Sequence, residues 1–457
     1  MRNRIKKNLV IIIKVFLWVL LLQFFLHTFV TYALKIEGTV MSIIRMRKEI
    51  LILVLSIFVA RYLVKKLDRE KLKELRQNFP LKKFVLIFLT INVIAFAISF
   101  LNSSITNFII SIRYSMMGFF LFILFYLISY LFFDDKTESL NLRYTKIIKY
   151  ILWWALIRRW LIRLVPNLMR FFGYNPWTYE WEVGSQPPAV YYTQYKEWFV
   201  RNQFLFERPI SLWFFLVAFW PLFFITVLYK KWPKSWIFWW WLYGLILLST
   251  FSRAAWWAWI AQTIVMFLFL YWKNWKKLFL YFFVPTILLL GVVTYYGKDQ
   301  IIHRQYSNTW HIKEVFLAIE KIKSSWFWGL WAASAGPASH HLPDWQAYNP
   351  ENQYLQIWLE YWLIVFLWWM FLYIYLHLIW FWAWKENWIE KKGTKDIKNM
   401  SLVLLAFSLW IFGLSIEWMV LHSFVDRMIV YPFVSLFAVY YANYHKNTLS
   451  QKLYWLL

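Results

Sequence analysis

The sequence of 457 residues contains no cysteine. It can therefore form no disulfide, and it offers no thiolate as a nucleophile or metal ligand. Acidic residues are also scarce, because 23 Asp and Glu stand against 50 Lys and Arg and leave a formal net charge of +27. No cluster of carboxylates in the sequence resembles a Mg²⁺ or Ca²⁺ site. We therefore expect chemistry that uses no metal and no other cofactor.

Glycine is scarce as well. The chain has 11 glycines, whereas a typical content of about 7% would give roughly 32. Tryptophan occurs 35 times, and Trp257, Trp331 and Trp362 stand where close helix packing would favour glycine. Our hypothesis is that some tryptophan codons are UGA codons that the organism reads as glycine. The alternative is a set of interfacial tryptophan belts, but Trp239–Trp241 would lie inside a span rather than at its end.

Long apolar runs dominate the rest of the chain. Apolar residues make up 61% of it, above the ~45–50% of a soluble domain. Many runs reach the about 20 residues that a helix needs to cross the hydrocarbon core. Lys and Arg concentrate in short loops between the runs, such as 65–83 and 385–398, which is the positive-inside pattern. The sequence thus predicts an all-α, polytopic membrane protein, with the lipid bilayer and not nucleic acid as the partner of its positive charge.

The alternation of basic loops and apolar runs predicts about twelve transmembrane helices in a single membrane domain, residues 1–457. The first run is long and more spans follow it, so we interpret it as an uncleaved helix. Both termini are then cytoplasmic, and the cytoplasmic (inner) membrane is the expected location. The approximate limits of the spans are 9–33, 49–64, 84–101, 107–133, 147–166, 210–229, 235–251, 254–272, 278–297, 353–383, 400–416 and 428–444.

Two predicted extracytoplasmic loops are long, and they cover residues 171–209 and 298–352. In the second loop, apolar residues from Ile312 to Ile322 recur at helical spacing, with charged residues such as Glu314 opposite. We predict an amphipathic helix at 310–324 that lies at the outer membrane interface. Long structured loops are uncommon without a function.

Three segments, in this order, resemble the O-antigen ligase/polymerase-like superfamily of membrane glycosyltransferases. Thr250–Trp256 is similar to its Ser-Arg-Gly-Ala-Trp signature, and Ser325–Trp331 to its Pro-hydrophobic-x-Gly-hydrophobic-Gly turn. Asn349–Ile364 is similar to its His-Asn-x-Tyr-Leu-Gln…Glu-x-Gly segment. The likeness covers about residues 200–440 well and the N-terminal half only by span count. It implies a C-type glycosyltransferase fold with a helical extracytoplasmic loop.

The resemblance also implies roles for individual residues. Arg253 matches the family's arginine at the outer end of a span, and Asn352 matches the asparagine before the re-entering span. Two positions depart from the pattern, since Glu351 replaces a histidine and His311 stands where the family has an arginine. We take His311, Glu351 and Asn352 as candidate catalytic residues. The candidate substrate-binding residues are Arg253, Arg201, Arg208, Arg304, Arg113 and His422.

The implied reaction is metal-independent transfer of a glycan from a polyprenyl-diphosphate-linked donor to a glycan, lipid or protein acceptor. Such a step belongs to polysaccharide biosynthesis in the cell envelope. Fixed arginines suit the developing charge of the diphosphate, and His or Glu can serve as the base. Ligase, polymerase and protein O-oligosaccharyltransferase remain open within this class. Another alternative is a lipid or polysaccharide transporter or flippase without transferase activity, although the sequence lacks the internal symmetry typical of transporters.

Overall fold

The computed structural model describes fourteen segments of the chain. They are residues 47–66, 82–102, 105–132, 175–179, 189–193, 200–201, 209–229, 235–271, 284–296, 305–325, 330–341, 348–385, 395–419 and 427–454, with Tyr150, Trp153 and Ile157 as isolated positions. The predicted span at 9–33 and most of the one at 147–166 lie outside the described residues.

The described residues are predominantly helical, as the apolar runs predict. The three helices at the C-terminal end contain the predicted spans 353–383, 400–416 and 428–444, and the last of them continues to Tyr454 through a polar segment. In chain order the helices are α1 (Arg47–Lys66), α2 (Lys82–Asn102), α3 (Ile105–Ser111), α4 (Met117–Phe132), α5 (Pro209–Tyr229), α6 (Ser235–Leu248), α7 (Arg253–Tyr271), α8 (Val284–Tyr296), α9 (Gln305–Ser324), α10 (Gln353–Trp384), α11 (Lys395–Glu417) and α12 (Arg427–Tyr454).

The first long loop adds three short strands that an all-α fold does not include. They are β1 (Asn175–Tyr179), β2 (Ala189–Thr193) and β3 (Val200–Arg201). β1 pairs with β2 in parallel, and β2 pairs with β3 in antiparallel orientation. Their aromatic and β-branched residues favour extended backbone. This part of the loop is therefore a small sheet in an otherwise helical chain.

Within the described residues, two helices are long and apolar enough to cross a membrane, Gln353–Tyr375 in α10 and Met400–Glu417 in α11. A third candidate arises if α3 and α4, which are bent by 64° relative to each other, count as one span. Shorter apolar helices cover Ile52–Tyr62, Ile210–Ile225 and Phe238–Leu248. These helices are consistent with a membrane protein, and the number of twelve spans and their orientation stay predictions.

The bend interrupts the predicted span at 107–133. A single π-helical turn, Ile112–Met116, joins α3 to α4, and the backbone N–H of Met117 bonds to the carbonyl of Ile112. The extra residue per turn distorts the regular ladder and bends the helix. Arg113 lies in this turn, and its Nε donates to Glu49 Oε1 at 3.0 Å. Because an unpaired charge among apolar helices is costly, Glu49 on α1 stabilises the bend.

A buried glutamine connects three helices of the core. Gln262 on α7 donates its Nε2 to the carbonyl of Val217 on α5 at 3.1 Å and to that of Leu409 on α11 at 2.9 Å. Gly413 makes room for this side chain, because a Cβ there would lie 2.1 Å from Gln262 Nε2. The carboxamide thus fixes the spacing of α5, α7 and α11.

Position 362 interrupts the regular backbone of α10. Trp362 has φ 68° and ψ 160°, in a region that is occupied essentially by glycine alone. Trp213, Trp256 and Trp410 also bury an indole N–H that has no acceptor among the described residues, and each such donor costs about 1–3 kcal/mol. These features support the hypothesis that some tryptophan codons encode glycine. We expect a UGA codon at position 362, and a UGG codon there would contradict the hypothesis.

A pair of substitutions tests the backbone at position 362. Trp362→Gly and Trp362→Ala both remove the ring, so the difference between their stabilities reports the cost of the backbone conformation at position 362. We expect the glycine variant to be more stable by about 1–3 kcal/mol. Trp368 is an exposed helical position of α10 and serves as the control, where glycine should be less stable than alanine by about 1 kcal/mol. Thermal unfolding in detergent measures both differences. The same order at both positions would contradict the prediction.

Candidate functional site

Arg253 is the first residue of α7. A tight turn connects it to α6, in which Phe251 adopts φ 52° and its N–H bonds to the carbonyl of Leu248 at 3.0 Å. The guanidinium therefore stands at a helix N-terminus, where the first backbone N–H groups and the helix dipole already carry partial positive charge. The combination attracts an anion more strongly than either element alone.

Helix α9 contacts this arginine. Nη2 of Arg253 donates to Oδ1 of Asn308 at 2.7 Å. An arginine fork has five N–H donors, so the bond to Asn308 orients the guanidinium and uses one of them. Asn308 lies one turn before His311 on the same side of α9, because residues three apart are neighbours on a helix surface.

The start of α10 contacts α9 at His311, one turn after Asn308. Asn352 is the N-cap of α10, and its Oδ1 accepts from the backbone N–H of Leu355 at 3.0 Å. Its Nδ2 donates to the carbonyl of Met419, which follows α11, at 3.0 Å. Glu351, just before the cap, has φ 48°, and its Oε2 contacts Nδ1 of His311. The left-handed backbone at Glu351 therefore aims the carboxylate at α9 rather than along α10.

These contacts bring the start of α7 and the start of α10 to neighbouring turns of α9. We call the resulting group, consisting of Arg253, Asn308, His311, Glu351 and Asn352, the junction site. It combines a guanidinium, two helix N-termini and a His–carboxylate pair. Chemically, it offers an anion-binding region beside a candidate base.

A second carboxylate adjoins the junction site. Glu314 lies one turn after His311 and is buried, with 8% of its surface exposed. Its pKa is raised above the usual value, chiefly by burial and then by the charge of Glu351, and Lys313 and Lys321 oppose the shift. The hydroxyl of Tyr348 donates to the backbone carbonyl of Glu314 at 2.5 Å, which fixes this turn of α9 against the loop before α10.

The sequence prediction for α9 was right about the helix and partly right about its faces, since Ile322 on the predicted apolar face is buried and Lys313 and Glu320 on the predicted charged face are exposed. The helix begins at Gln305, before the predicted 310, and ends at Ser324 as predicted. Glu314, predicted on the charged face, packs inward with Ala318 and Ile322. Ile312 and Phe316, predicted on the apolar face, are 57% and 63% exposed. Periodicity identifies the two faces of a helix but not which of them a neighbouring segment covers.

The other sequence-predicted residues lie apart from these contacts or outside the described residues. Arg113 pairs with Glu49, and Arg201 lies in β3, where its backbone is opposite Tyr192. Their roles in substrate binding stay predictions. Arg208, Arg304 and His422 lie outside the described residues.

Two residues of the site were missed by sequence reasoning. Asn308 is an ordinary polar residue, and only its position one turn before His311 marks it as a neighbour. Glu314 looks like a solvated charge because Lys313 precedes it. Among the described residues, no three His, Asp or Glu side chains converge as a metal-binding group would.

No protein-family model, no curated protein and no solved structure matches the chain. The resemblance noted for Thr250–Trp256, Ser325–Trp331 and Asn349–Ile364 therefore rests on those residues alone.

The buried carboxyl of Glu314 predicts a pH-dependent stability. A carboxyl with a raised pKa stabilises the fold when protonated, fully below its ordinary pKa of about 4.3, and this stability is lost as the pH rises through the raised value. The thermal midpoint of the wild type should therefore fall as the pH rises from the ordinary pKa to the raised pKa of Glu314. The thermal midpoint of Glu314→Gln should fall less over the same pH interval. Glu320→Gln, at an exposed position of α9, should retain the wild-type profile. Identical profiles for all three proteins would show that Glu314 is not perturbed.

Proposed function

We propose that this protein transfers a glycan from a polyprenyl-diphosphate carrier to a hydroxyl group of an acceptor. One observation carries the proposal: α9 holds Arg253, at the start of α7, next to the His311–Glu351 pair, at the start of α10. An anion-binding group and a base are the two elements that this transfer needs. The order of the motifs that resemble membrane glycosyltransferases supports the same assignment.

The donor side of the reaction needs fixed positive charge. As the bond between the anomeric carbon and the diphosphate oxygen breaks, the diphosphate leaves with the electron pair and gains negative charge. Arg253 can bind two phosphate oxygens through its planar fork. The first N–H groups of α7 are fixed by the helix and need no reorganisation during the reaction.

The acceptor side needs a base. The acceptor oxygen forms the new bond to the anomeric carbon, and its proton passes to the His311–Glu351 pair. A carboxylate that holds one imidazole nitrogen orients the ring and stabilises the imidazolium. Asn352 caps α10 and fixes the position of Glu351, so we assign Asn352 a positioning role.

The two departures from the family pattern contact each other in this chain. Where the resemblance would place a histidine before the asparagine, the chain has Glu351, and where it would place an arginine on the loop helix, the chain has His311. Because these two side chains contact each other, we interpret the two changes as a coupled replacement. The imidazole is then supplied from α9 rather than from the start of α10.

The junction site also bears on the alternatives. A transporter or flippase would use Arg253 to bind diphosphate, but it has no need of an oriented base. The His311–Glu351 pair therefore favours an enzyme. The contacts do not select among a ligase, a polymerase and a protein O-oligosaccharyltransferase, which differ in the acceptor. We place the enzyme in the cytoplasmic membrane with twelve spans and with the junction site on the outer side.

Replacing Arg253 tests the donor side. Arg253→Ala should abolish transfer from a defined lipid-linked donor while membrane insertion and abundance stay at wild-type levels, because loss of one preorganised charge donor typically lowers kcat by about 10²–10³. Arg253→Lys should retain part of the rate. Arg61→Ala, at an exposed position of α1, is the control. A wild-type rate in Arg253→Ala would refute the mechanism.

Replacing His311 and Glu351 tests the base. Each alanine variant should lower kcat by about 10²–10⁴. Because the two side chains act as a unit, the double variant should lose little more than either single variant. Single-turnover transfer measures all three rates. Additive losses would show that the two residues act independently and would contradict the pairing.

A further inference from the structure

The first turns of α10 carry a buried polar face. Gln353, Gln356 and Glu360 lie on one side of the helix, and each has no exposed surface. Spacings of three and four residues place successive side chains one above the other. The face begins directly after Asn352 and Glu351 of the junction site and continues for two turns toward the middle of α10.

Other elements close around this face. Ser111, at the end of α3, donates to Oε2 of Glu360 at 3.3 Å. The backbone N–H of Gln353 donates to the carbonyl of Trp418 at 3.0 Å, which brings the end of α11, where Glu417 is fully buried, to the first turn of α10. Gly336 packs on the other side, because a Cβ there would lie 2.3 Å from the carboxamide carbon of Gln356.

Several polar atoms of this enclosure lack partners. Among the described residues, neither carboxamide atom of Gln353, neither carboxamide atom of Gln356 and neither carboxylate oxygen of Glu417 has a hydrogen bond. Ser334 Oγ, two residues before Gly336, is in the same state. We call Ser334, Gln353, Gln356 and Glu417 the buried polar cluster.

Such a cluster weakens the fold unless something binds to it. A buried donor or acceptor without a partner is destabilising, and apolar residues of the same size would pack here without that penalty. In native proteins such groups bind an ordered water, an ion or a ligand, or they belong to a catalytic or strained site. The cluster adjoins the junction site at Asn352, so a ligand held at the junction site can extend into it.

We propose that the buried polar cluster binds the hydroxyl groups of a sugar ring. Each carboxamide offers two donors and one acceptor group, which complements a hydroxyl that both donates and accepts. A carboxylate such as Glu417 accepts from two neighbouring hydroxyls. This inference rests on the proposed glycan transfer, and it assigns the recognition of the saccharide to α10 and to the end of α11.

Residues 330–336, which pack against Gln356 at Gly336, determine how the sugar reaches the buried polar cluster. Residues 330–336 are attached at both ends, since the N–H of Leu330 donates to the carbonyl of Leu359 at 2.7 Å and the N–H of Gly336 to that of Tyr348 at 2.7 Å. Ala333 and Gly336 have φ 66°. A sugar occupies the cluster once this segment separates from Gln356.

Near-isosteric replacements by methionine test the proposal. The probes are undecaprenyl diphosphate and its conjugates with N-acetylglucosamine, glucose or galactose, and equilibrium binding to the purified full-length protein is measured. The wild type should bind at least one conjugate more tightly than the bare lipid. Gln353→Met and Gln356→Met should each lower that preference about tenfold and leave the affinity for the bare lipid unchanged. The thermal midpoint without lipid should stay the same or rise, because an unsatisfied polar group is removed.

The control is Gln262→Met. Its carboxamide bonds to α5 and α11, so this variant should lower the thermal midpoint and leave the sugar preference unchanged. A lower thermal midpoint in Gln356→Met, or an unchanged sugar preference, would show a structural role and overturn the inference. Equal binding of all lipids by the wild type would overturn it as well. If instead the wild type binds no diphosphate lipid, or transfers no glycan, the proposed function itself fails.

Discussion

A polar group inside a bundle of apolar helices needs a hydrogen-bond partner, because no water competes for it there. This requirement determines how the helices of this protein are arranged. Gln262 connects α5, α7 and α11 through two backbone carbonyls. Tyr354 and Tyr373, both on α10, donate to the carbonyls of Ser415 and Ile411 on α11. Apolar packing surrounds these bonds, but it is non-directional, so the polar contacts fix the relative positions of the helices.

The same requirement distinguishes the residues proposed to bind substrate from those that only stabilise the fold. In the core, Gln262, Tyr354 and Tyr373 donate to backbone carbonyls of neighbouring helices, which is a fixed arrangement. At the junction site, Arg253 and Glu351 are held by side chains of α9, which a competing anion or hydroxyl can exchange. In the buried polar cluster, the carboxamides of Gln353 and Gln356 have no hydrogen bond among the described residues.

The sequence predicted the helices well and their contacts poorly. Apolar runs locate α10 and α11, and helical spacing locates α9, because both signals are local. The π-turn around Arg113, the strand at Ala189–Thr193 and the inward face of Glu314 depend on which segments pack together, and local pattern does not contain that information. Family resemblance marked Arg253, Glu351 and Asn352. It did not mark Asn308, whose role follows only from the approach of α7 to α9.

The left-handed backbone at Glu351 has a consequence for how this protein changes over evolution. Residues with short polar or ring side chains, such as Asn, Asp and His, tolerate positive φ several-fold better than most, whereas β-branched residues do not. The position before the helix cap therefore admits a small set of residues that includes both of the groups suited to serve as a base. Divergence there can exchange an imidazole for a carboxylate while the loop keeps its shape. A change of residue at this point is thus limited both by the backbone and by the partner side chain on α9.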